Sequence, residues 1–256
     1  LLCKDHAPAR GRQMTPFMHD VERRVLSMVT PVGNNALQSV GAALAVKESA
    51  EKPIVVCSLG DGTTQQGEFL EALQEAARES APVLFIVEDN GWAISTNTRG
   101  RTPLWLGARE GNSLLGVGLQ KLNGREINHC LPTFTRIVRQ MRLDRKPQLV
   151  WLDVDRLHSH TNADDQRIYR TPDEIERVAG LVLIDGIKDI ETALILLVEA
   201  RLRPDRPDRR RQQKPSGDHS ALHLSPSHGH LPCACLLLTA AYFPAVTSGV
   251  TIGRET

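Results

Sequence analysis

Apolar residues along the first two thirds of the chain fall into runs and stripes that predict alternating strands and helices. Short continuous apolar runs bounded by proline or glycine are typical of strands that are buried on both faces. Apolar residues at a spacing of three and four predict amphipathic helices between those strands. The strands are predicted in PIVVCSLGDG (53–62), APVLFIVEDNG (81–91) and PQLVWLDVDR (147–156), and the helices in NNALQSVGAALAVKESA (34–50), GEFLEALQEAARES (67–80) and TFTRIVRQMRL (133–143). The alternation predicts an α/β fold with a mainly parallel sheet and helices on both faces.

The character of the sequence changes after about residue 180. The stretch RLRPDRPDRRRQQKPSGDHSALHLSPSHGHLPC (201–233) is rich in Arg, Pro, His and Ser, and it has no sustained periodicity. Such a composition buries too little apolar surface to offset the entropy of ordering the chain. The sequence therefore predicts one folded domain at residues 1–180 and an atypical, largely disordered tail at residues 181–256.

Composition and charge narrow the functional classes. The formal net charge is only +1 across 256 residues, which argues against nucleic acid as a partner. No apolar run approaches the roughly 20 residues needed to span a bilayer. The five cysteines are scattered and odd in number, which favours a reducing compartment without a disulfide framework.

The glycine-rich stretch LGDGTTQQGEF (59–69) stands between a predicted strand and a predicted helix, where phosphate groups are often bound. Gly60, Gly62 and Gly67 lack the last spacing of a dinucleotide-binding fingerprint. Gly62 and Gly67 have the first spacing of a P-loop, but Glu68 takes the place of its lysine. Neither nucleotide motif is therefore present.

Asp61 offers a third reading, because a carboxylate at a strand end can bind a divalent cation that holds a diphosphate. Asn90 follows the neighbouring strand, predicted at 83–87, and the main-chain carbonyl of Trp92 lies in the same turn. The carboxyl ends of parallel strands share one edge of the sheet, where such folds bind ligands. An aspartate in a glycine-rich turn is also a common turn or helix-capping residue. The matching position of Asn90 favours the metal.

The GDG motif, followed about thirty residues later by DN, resembles the thiamine-diphosphate signature. The longer stretches GRQM, TPVGNNALQSVGAALA, GDGTTQQGEFLEALQEAARESAPVLFIVEDNGWAIST and RLHSHTNADDQRIYR resemble the α subunit of the 2-oxo acid dehydrogenase E1 component. The resemblance runs in the family's order from about residue 11 to 169. It implies that residues 1–180 form the thiamine-diphosphate-binding fold, in particular the half that holds the diphosphate and the metal.

The resemblance also assigns roles to residues of this chain. Asp61, Asn90 and the Trp92 carbonyl are expected to bind Mg²⁺. Gly60 and Gly62 are expected to let the backbone approach the diphosphate, and Val32 to support the bent form of the cofactor. Some members hold a structural potassium ion at the positions of Thr30, Pro31, Asn34 and Asn35, although Gly33-Asn34-Asn35 departs from the usual Ala-Thr-Gln.

The second centre implied by the resemblance is RLHSHTNADDQRIYR (156–170), in which His160 is expected to be the catalytic residue. A histidine there can bind the intermediate and manage protons near neutral pH. Arg156 is placed with the cofactor-binding residues, and with Asp165 and Tyr169 it is expected to order the loop. Family members often carry a regulatory serine where this chain has Thr161.

The resemblance implies an oxidoreductase that decarboxylates a 2-oxo acid and transfers the acyl group to the lipoyl group of an E2 partner. In this family a β subunit supplies the rest of the site, within a heterotetramer, so this chain is expected to be half a site. The alternatives are a non-catalytic remnant and another thiamine-diphosphate enzyme, of the acetoin dehydrogenase or transketolase type. Which 2-oxo acid is used is not visible in the sequence.

Both ends of the chain depart from the family pattern. The family usually has a longer N-terminal region with further diphosphate contacts, and it continues with acidic helices after TPDEIERVAG (171–180). We therefore expect a fragment or a C-terminal end in an altered reading frame. No targeting segment is seen, because LLCKDHAPARGRQM lacks a long apolar stretch, and the expected location is the bacterial cytoplasm or the mitochondrial matrix.

Overall fold

A computed structural model of the chain describes residues 10, 12, 19, 24–27, 30–108, 110–185 and 236–239. Its four helices are α1 (Asn34–Ala45), α2 (Gly67–Glu79), α3 (Ile127–Asp144) and α4 (Pro172–Asp185). Its eight strands are β1 (Val55–Gly60), β2 (Val83–Asp89), β3 (Trp92–Ala93), β4 (Thr96–Asn97), β5 (Ser113–Leu114), β6 (Val117–Asn123), β7 (Gln148–Asp153) and β8 (Leu236–Thr239).

Six strands form one sheet in the order β5-β6-β7-β2-β1-β8, and β3 pairs with β4 in a small antiparallel hairpin. Every pair in the large sheet is parallel except β5 with β6. Helices cover both faces: α1 and α2 pack on one, and α3 packs on the other. The predicted α/β fold with a mainly parallel sheet is confirmed.

Alternation along the buried strands places successive side chains in two separate cores. On β2, Phe85 and Val87 face α1 and α2, whereas Leu84 and Ile86 face α3. The ring of Phe85 meets the ring of Phe69 from α2 edge-on, at 6.3 Å between centroids and 87° between planes. The strand ends are therefore fixed by packing on both sides of the sheet.

Several boundaries differ from the sequence prediction. Helix α1 ends at Ala45 instead of residue 50, and α3 begins six residues earlier than predicted, with Pro132 inside it. Helix α4 runs to Asp185, and the domain boundary at residue 180 stays a prediction. Strand β8, from the tail, pairs with β1, and the rest of residues 186–256 lies outside the described residues. No helix in the described ranges is long and apolar enough to cross a membrane.

Candidate functional site

The carboxyl ends of β1 and β2 bring the predicted metal-binding residues to one edge of the sheet. Gly60, the last residue of β1, pairs with Glu88 near the end of β2. Asp61 follows at once in a short 3₁₀ turn, Asp89 is the last residue of β2, and Asn90 comes directly after it. We call Asp61, Asp89, Asn90 and Trp92 the strand-end site. Ligand binding at this edge is typical of open parallel sheets.

Asp61 lies in a buried, acidic environment. The residue is 1% exposed, and its Oδ2 accepts a hydrogen bond from Thr98 Oγ1. Burial raises the pKa of Asp61 to about 6; the Thr98 hydroxyl opposes the increase and the charge of Asp89 adds to it. A buried carboxylate beside a second one is the environment that a bound cation relieves.

The turn after β2 is held by two successive side-chain contacts to the backbone. Asp89 Oδ1 accepts a hydrogen bond from the Gly91 amide at 3.0 Å, and Asn90 Oδ1 accepts one from the Trp92 amide at 3.0 Å. Gly91 has φ = +77°, a conformation that glycine adopts without strain. An amide oxygen has two lone pairs, so Asn90 Oδ1 keeps one for a second partner.

The two predicted glycines of the turn have different surroundings. A Cβ at Gly60 would meet nothing within 4 Å, whereas a Cβ at Gly62 would lie 2.5 Å from Ala93 Cβ. Gly62 is therefore required by the β3–β4 hairpin packed against it. Gly60 leaves open space beside the backbone.

The N-termini of α1 and α2 meet beside the strand-end site. Asn34 Nδ2 donates to Glu68 Oε1 at 3.3 Å, and a Cβ at Gly33 would lie 2.9 Å from Gln66 Cβ. Neither helix has a side-chain hydrogen bond at its N-cap. The preceding Val32 is 52% exposed. Backbone N–H groups at two adjacent helix N-termini favour an anion there.

The amides predicted to lie near a potassium ion take part in the fold. Asn34 Oδ1 accepts a hydrogen bond from Gln38 Nε2 at 2.6 Å. Buried Asn35 donates through Nδ2 to the Ser58 carbonyl at 3.2 Å, which ties the start of α1 to β1. The potassium site stays a prediction.

His160 lies in the loop of residues 156–170, which we call the histidine loop. Arg156 donates to the Tyr169 hydroxyl at 2.7 Å, and that hydroxyl donates to Asp164 Oδ2 at 2.6 Å. The same oxygen of Asp164 accepts the backbone N–H of His160 at 2.7 Å. Arg156 and Tyr169 thus order the loop as the sequence predicts.

The histidine loop contacts the strand-end site through Trp92. The Trp92 and Tyr169 rings are 5.3 Å apart between centroids, and the Arg156 guanidinium lies 5.9 Å and 5.5 Å from their centroids. Arg156 also donates to the Ile94 carbonyl at 2.8 Å, and Trp92 Nε1 donates to Glu174 of α4 at 3.1 Å. Arg156 therefore joins the two regions, and its role toward a cofactor stays a prediction.

The carboxylate of Asp165 binds a residue two positions away, whereas that of the neighbouring Asp164 binds both His160 and Tyr169. The Asp165 carboxylate pairs with Arg167 at 2.7 Å and accepts the Arg167 backbone N–H, which caps a short 3₁₀ turn. The guanidinium of Arg167 holds the pKa of Asp165 down at about 2. The contact that fixes the backbone of His160 comes from Asp164, which the sequence prediction did not single out.

The imidazole of His160 is in a setting that favours its neutral form. Burial lowers the pKa of His160, and the positive charge of Arg156 lowers it further, while Asp164 opposes both. A neutral imidazole can accept a proton near pH 7, and the imidazolium that forms can then donate it. A surface pocket of about 480 Å³ opens beside the loop, and Ser159 and Ile175 are among the residues that line it.

Two more residues of the site escaped the sequence prediction. Asp89 was missed because β2 was predicted to end at residue 87, and the alternation Val83, Phe85, Val87 could have extended it by one more inward position. Thr98 reaches Asp61 from beyond the hairpin, 37 residues away in sequence. No pattern of apolar or polar residues indicates that contact.

Part of the chain is similar in sequence to known proteins. Residues 3–189 match the family model described as dehydrogenase E1 component. The chain is 33% identical over 156 residues to the 3-methyl-2-oxobutanoate dehydrogenase subunit alpha of Mycobacterium tuberculosis, covering 60% of this chain and 42% of the relative. It is 28% identical over 170 residues to the mitochondrial 2-oxoisovalerate dehydrogenase subunit alpha of Mus musculus, covering 66% and 38%. The chain thus spans about two fifths of the length of these relatives.

Proposed function

Because the chain belongs to the dehydrogenase E1 component family, we propose that it acts as the α subunit of a 2-oxo acid dehydrogenase E1 component. In that role it binds thiamine diphosphate, on which the family depends, through Mg²⁺. The observation that carries the proposal is the placement of Asp61 and Asn90 at one edge of the sheet, beside two helix N-termini.

The oxygen atoms at the strand-end site fit Mg²⁺. The described ranges contain no group of three or more His, Cys, Asp and Glu that could hold a metal ion. Mg²⁺ needs no such group, because it is commonly held by one or two protein oxygens together with water and phosphate oxygens. Asp61 supplies a carboxylate, Asn90 an amide oxygen and Trp92 a carbonyl. The burial of Asp61 beside Asp89 supports a cation at this position.

The surroundings also fit a diphosphate. The N-termini of α1 and α2 lack side-chain caps, so backbone N–H groups and both helix dipoles favour negative charge. The open space beside Gly60 is the room that an approaching phosphate requires. Exposed Val32 precedes α1 and is available to an apolar part of the same ligand.

Thiamine diphosphate, when bound, supplies the electron sink for decarboxylation of the 2-oxo acid. The chain contributes binding and orientation: Asp61, Asn90 and the Trp92 carbonyl hold the cation, and the helix N-termini hold the diphosphate. The imidazole of His160, which its lowered pKa keeps neutral near pH 7, accepts a proton and then returns it. We further propose a potassium ion near Asn34, where the preceding loop enters α1.

The proposed partners follow from the incomplete site. A β subunit supplies the remaining half, and an E2 acyltransferase carries the lipoyl group that receives the acyl group. The names of the two relatives support branched-chain 2-oxo acids as the substrate class. Their sources, a bacterium and the mitochondria of an animal, support a bacterial cytoplasm or a mitochondrial matrix as the location.

Calorimetric titration of thiamine diphosphate, with and without Mg²⁺, tests the proposal on the chain combined with a β subunit from a related dehydrogenase. We expect Mg²⁺-dependent binding to the wild-type chain. Asp61→Asn keeps the size of the side chain and removes its charge, so we expect affinity to fall by more than the roughly 10–100-fold that is typical of outer-sphere changes.

Asp144→Asn is the matched control, because Asp144 ends α3 at the opposite edge of the sheet and its carboxylate accepts a backbone N–H two residues later. Binding equal to that of the wild type is expected. A wild-type assembly that binds no thiamine diphosphate, or an Asp61→Asn chain that binds it normally, would contradict the proposal. Decarboxylation of 3-methyl-2-oxobutanoate and of pyruvate by the same assembly then tests the substrate class.

A further inference from the structure

Asp89 ends β2 beside the predicted metal ligands, yet its own oxygens are already engaged. The side chain is 5% exposed. Oδ1 accepts the Gly91 amide at 3.0 Å, and Oδ2 accepts the indole N–H of Trp151 at 2.9 Å. With one donor fixed to each oxygen, Asp89 is placed to orient its neighbours.

The contact to Gly91 controls the turn that carries Asn90 and Trp92. Gly91 lies in this turn with φ = +77°, and its backbone N–H donates to Asp89 Oδ1. The Asn90 side chain is then held by the Trp92 amide within the same turn. A shift of the Asp89 carboxylate would therefore move the two groups that are proposed to bind Mg²⁺, the side-chain oxygen of Asn90 and the main-chain carbonyl of Trp92.

The contact to Trp151 anchors that carboxylate to the core. Trp151 lies on β7, is 2% exposed, and pairs in register with Val87, two residues before Asp89. An indole N–H can only donate, and in a buried position it needs an acceptor, which is Oδ2 of Asp89. The Val154 amide also holds the Asp89 carbonyl at 3.0 Å. The hydrogen bond from Trp151 thus fixes the Asp89 carboxylate, and through it the turn, relative to the packed sheet.

We propose that Asp89 and Trp151 form a positioning pair that holds Asn90 and the Trp92 carbonyl in the geometry that Mg²⁺ requires. The proposal rests on the proposed function, because it concerns the same metal. It assigns Asp89 a positioning role because each of its oxygens accepts an N–H, one from the turn at Gly91 and one from Trp151 on β7. Mg²⁺ is sensitive to such placement, since it demands near-octahedral geometry.

The test is a Mg²⁺ titration at saturating thiamine diphosphate, on the chain assembled with the β subunit. Asp89→Asn leaves one oxygen for the two N–H donors of Gly91 and Trp151, and Trp151→Phe keeps the charge of Asp89 but removes the indole N–H that anchors it. We expect each variant to weaken Mg²⁺ binding about 10–100-fold. Both substitutions remove the same hydrogen bond. The double variant should therefore bind Mg²⁺ no more weakly than the more weakly binding of the two single variants. Asp144→Asn is again the control with wild-type affinity.

Trp151→Phe separates positioning from charge, because only the positioning role requires the indole N–H. Wild-type Mg²⁺ affinity in Trp151→Phe, or full additivity in the double variant, would overturn the proposal. If Trp151→Phe fails to fold, β-(3-benzothienyl)alanine at position 151 keeps the bicyclic shape without the N–H, and the same loss is expected. A wild-type assembly that binds no Mg²⁺ contradicts the proposed function itself, so the two failures are distinguishable.

Discussion

The strand-end site and the histidine loop reach the same region of the molecule by different means. Asp61 and Asn90 directly follow strands that are buried between helices on both faces, so backbone pairing in the sheet positions them. His160 lies in a loop whose shape depends on side-chain contacts among Arg156, Asp164 and Tyr169. The strand-end site is therefore held as rigidly as the core to which its strands belong. The histidine loop depends on a few hydrogen bonds, each of which single substitutions can remove.

The difference has a functional consequence. A metal ligand on a packed strand end keeps its place without the cofactor, which lowers the cost of binding. A loop held by a few polar contacts opens at a lower free energy than the sheet does. The two regions should therefore respond separately to substitution, although Trp92 and Arg156 join them.

The largest expected effect is that of His160→Ala, which should slow the reaction but leave cofactor binding almost unchanged. Asp164 holds the backbone N–H of His160, so this contact survives the loss of the imidazole. We expect binding of thiamine diphosphate and Mg²⁺ within about twofold of the wild type, and acyl transfer to a lipoyl group slowed by about 10²–10⁴-fold, as for a lost acid–base group. Separate assays of binding, decarboxylation and lipoyl acylation check this. Unchanged rates in both reactions would remove His160 from the chemistry.

A smaller effect is expected for Tyr169→Phe, which removes one hydroxyl and with it two hydrogen bonds of the histidine loop. A net loss of about 1–2 kcal/mol is expected for two such bonds. Amide exchange in the peptide covering the histidine loop should rise about tenfold, while exchange in β2 stays as in the wild type. Hydrogen–deuterium exchange measures both peptides in one sample. A parallel rise in β2 would show that the loop and the strand end open together.

The smallest effect concerns Asp155, the residue directly before the histidine loop, which Arg125 binds through two nitrogens. That contact holds the pKa of Asp155 below its usual value. The stabilisation is therefore complete above the unfolded-state pKa of about 4 and is lost as the pH falls through the lower folded-state pKa. Asp155→Asn should lower the free energy of unfolding by about 1 kcal/mol at pH 7, and the difference should shrink below pH 4.

Urea unfolding at pH 7 and at pH 3 measures this difference. Asp165→Asn is the control, because its partner Arg167 is 81% exposed at the side chain and such pairs contribute little. Solvent screens this exposed pair, so the control is expected to change the free energy of unfolding by much less than Asp155→Asn does. An Asp155→Asn chain that differs from the wild type equally at both pH values would contradict the assigned cause.

The sequence predicted best what depends on local pattern. Helix α2 and the strands β1, β2 and β7 follow from apolar runs and stripes, and the neighbouring position of Asp61 and Asn90 follows from two strand ends in a parallel sheet. Strand β6 was missed because Val117 and Leu119 alternate with Gly118 and Gln120, so no continuous apolar run marks it.

Other features depend on contacts between distant segments. The prediction continued α1 to residue 50, but the helix ends at Ala45. The carbonyls of Val46 and Lys47 accept hydrogen bonds from Arg145, about a hundred residues away in sequence. The contact of Thr98 with Asp61 is of the same kind. The histidine loop was located only by family resemblance, because its ordering residues carry no periodic signal. That Asp164, and not Asp165, binds the backbone N–H of His160 became clear only from the three-dimensional structure.

The close approach of Gly62 and Ala93 has a consequence for sequence variation. The two positions share a space that holds a single methyl group, since a Cβ at position 62 would lie 2.5 Å from the Cβ of Ala93. Neither residue can grow alone without displacing the hairpin from the turn. Substitutions at the two positions should therefore occur as compensating pairs: Gly62→Ala becomes tolerable only together with Ala93→Gly. The residue that follows Asp61 is thus coupled in its variation to the residue that follows Trp92.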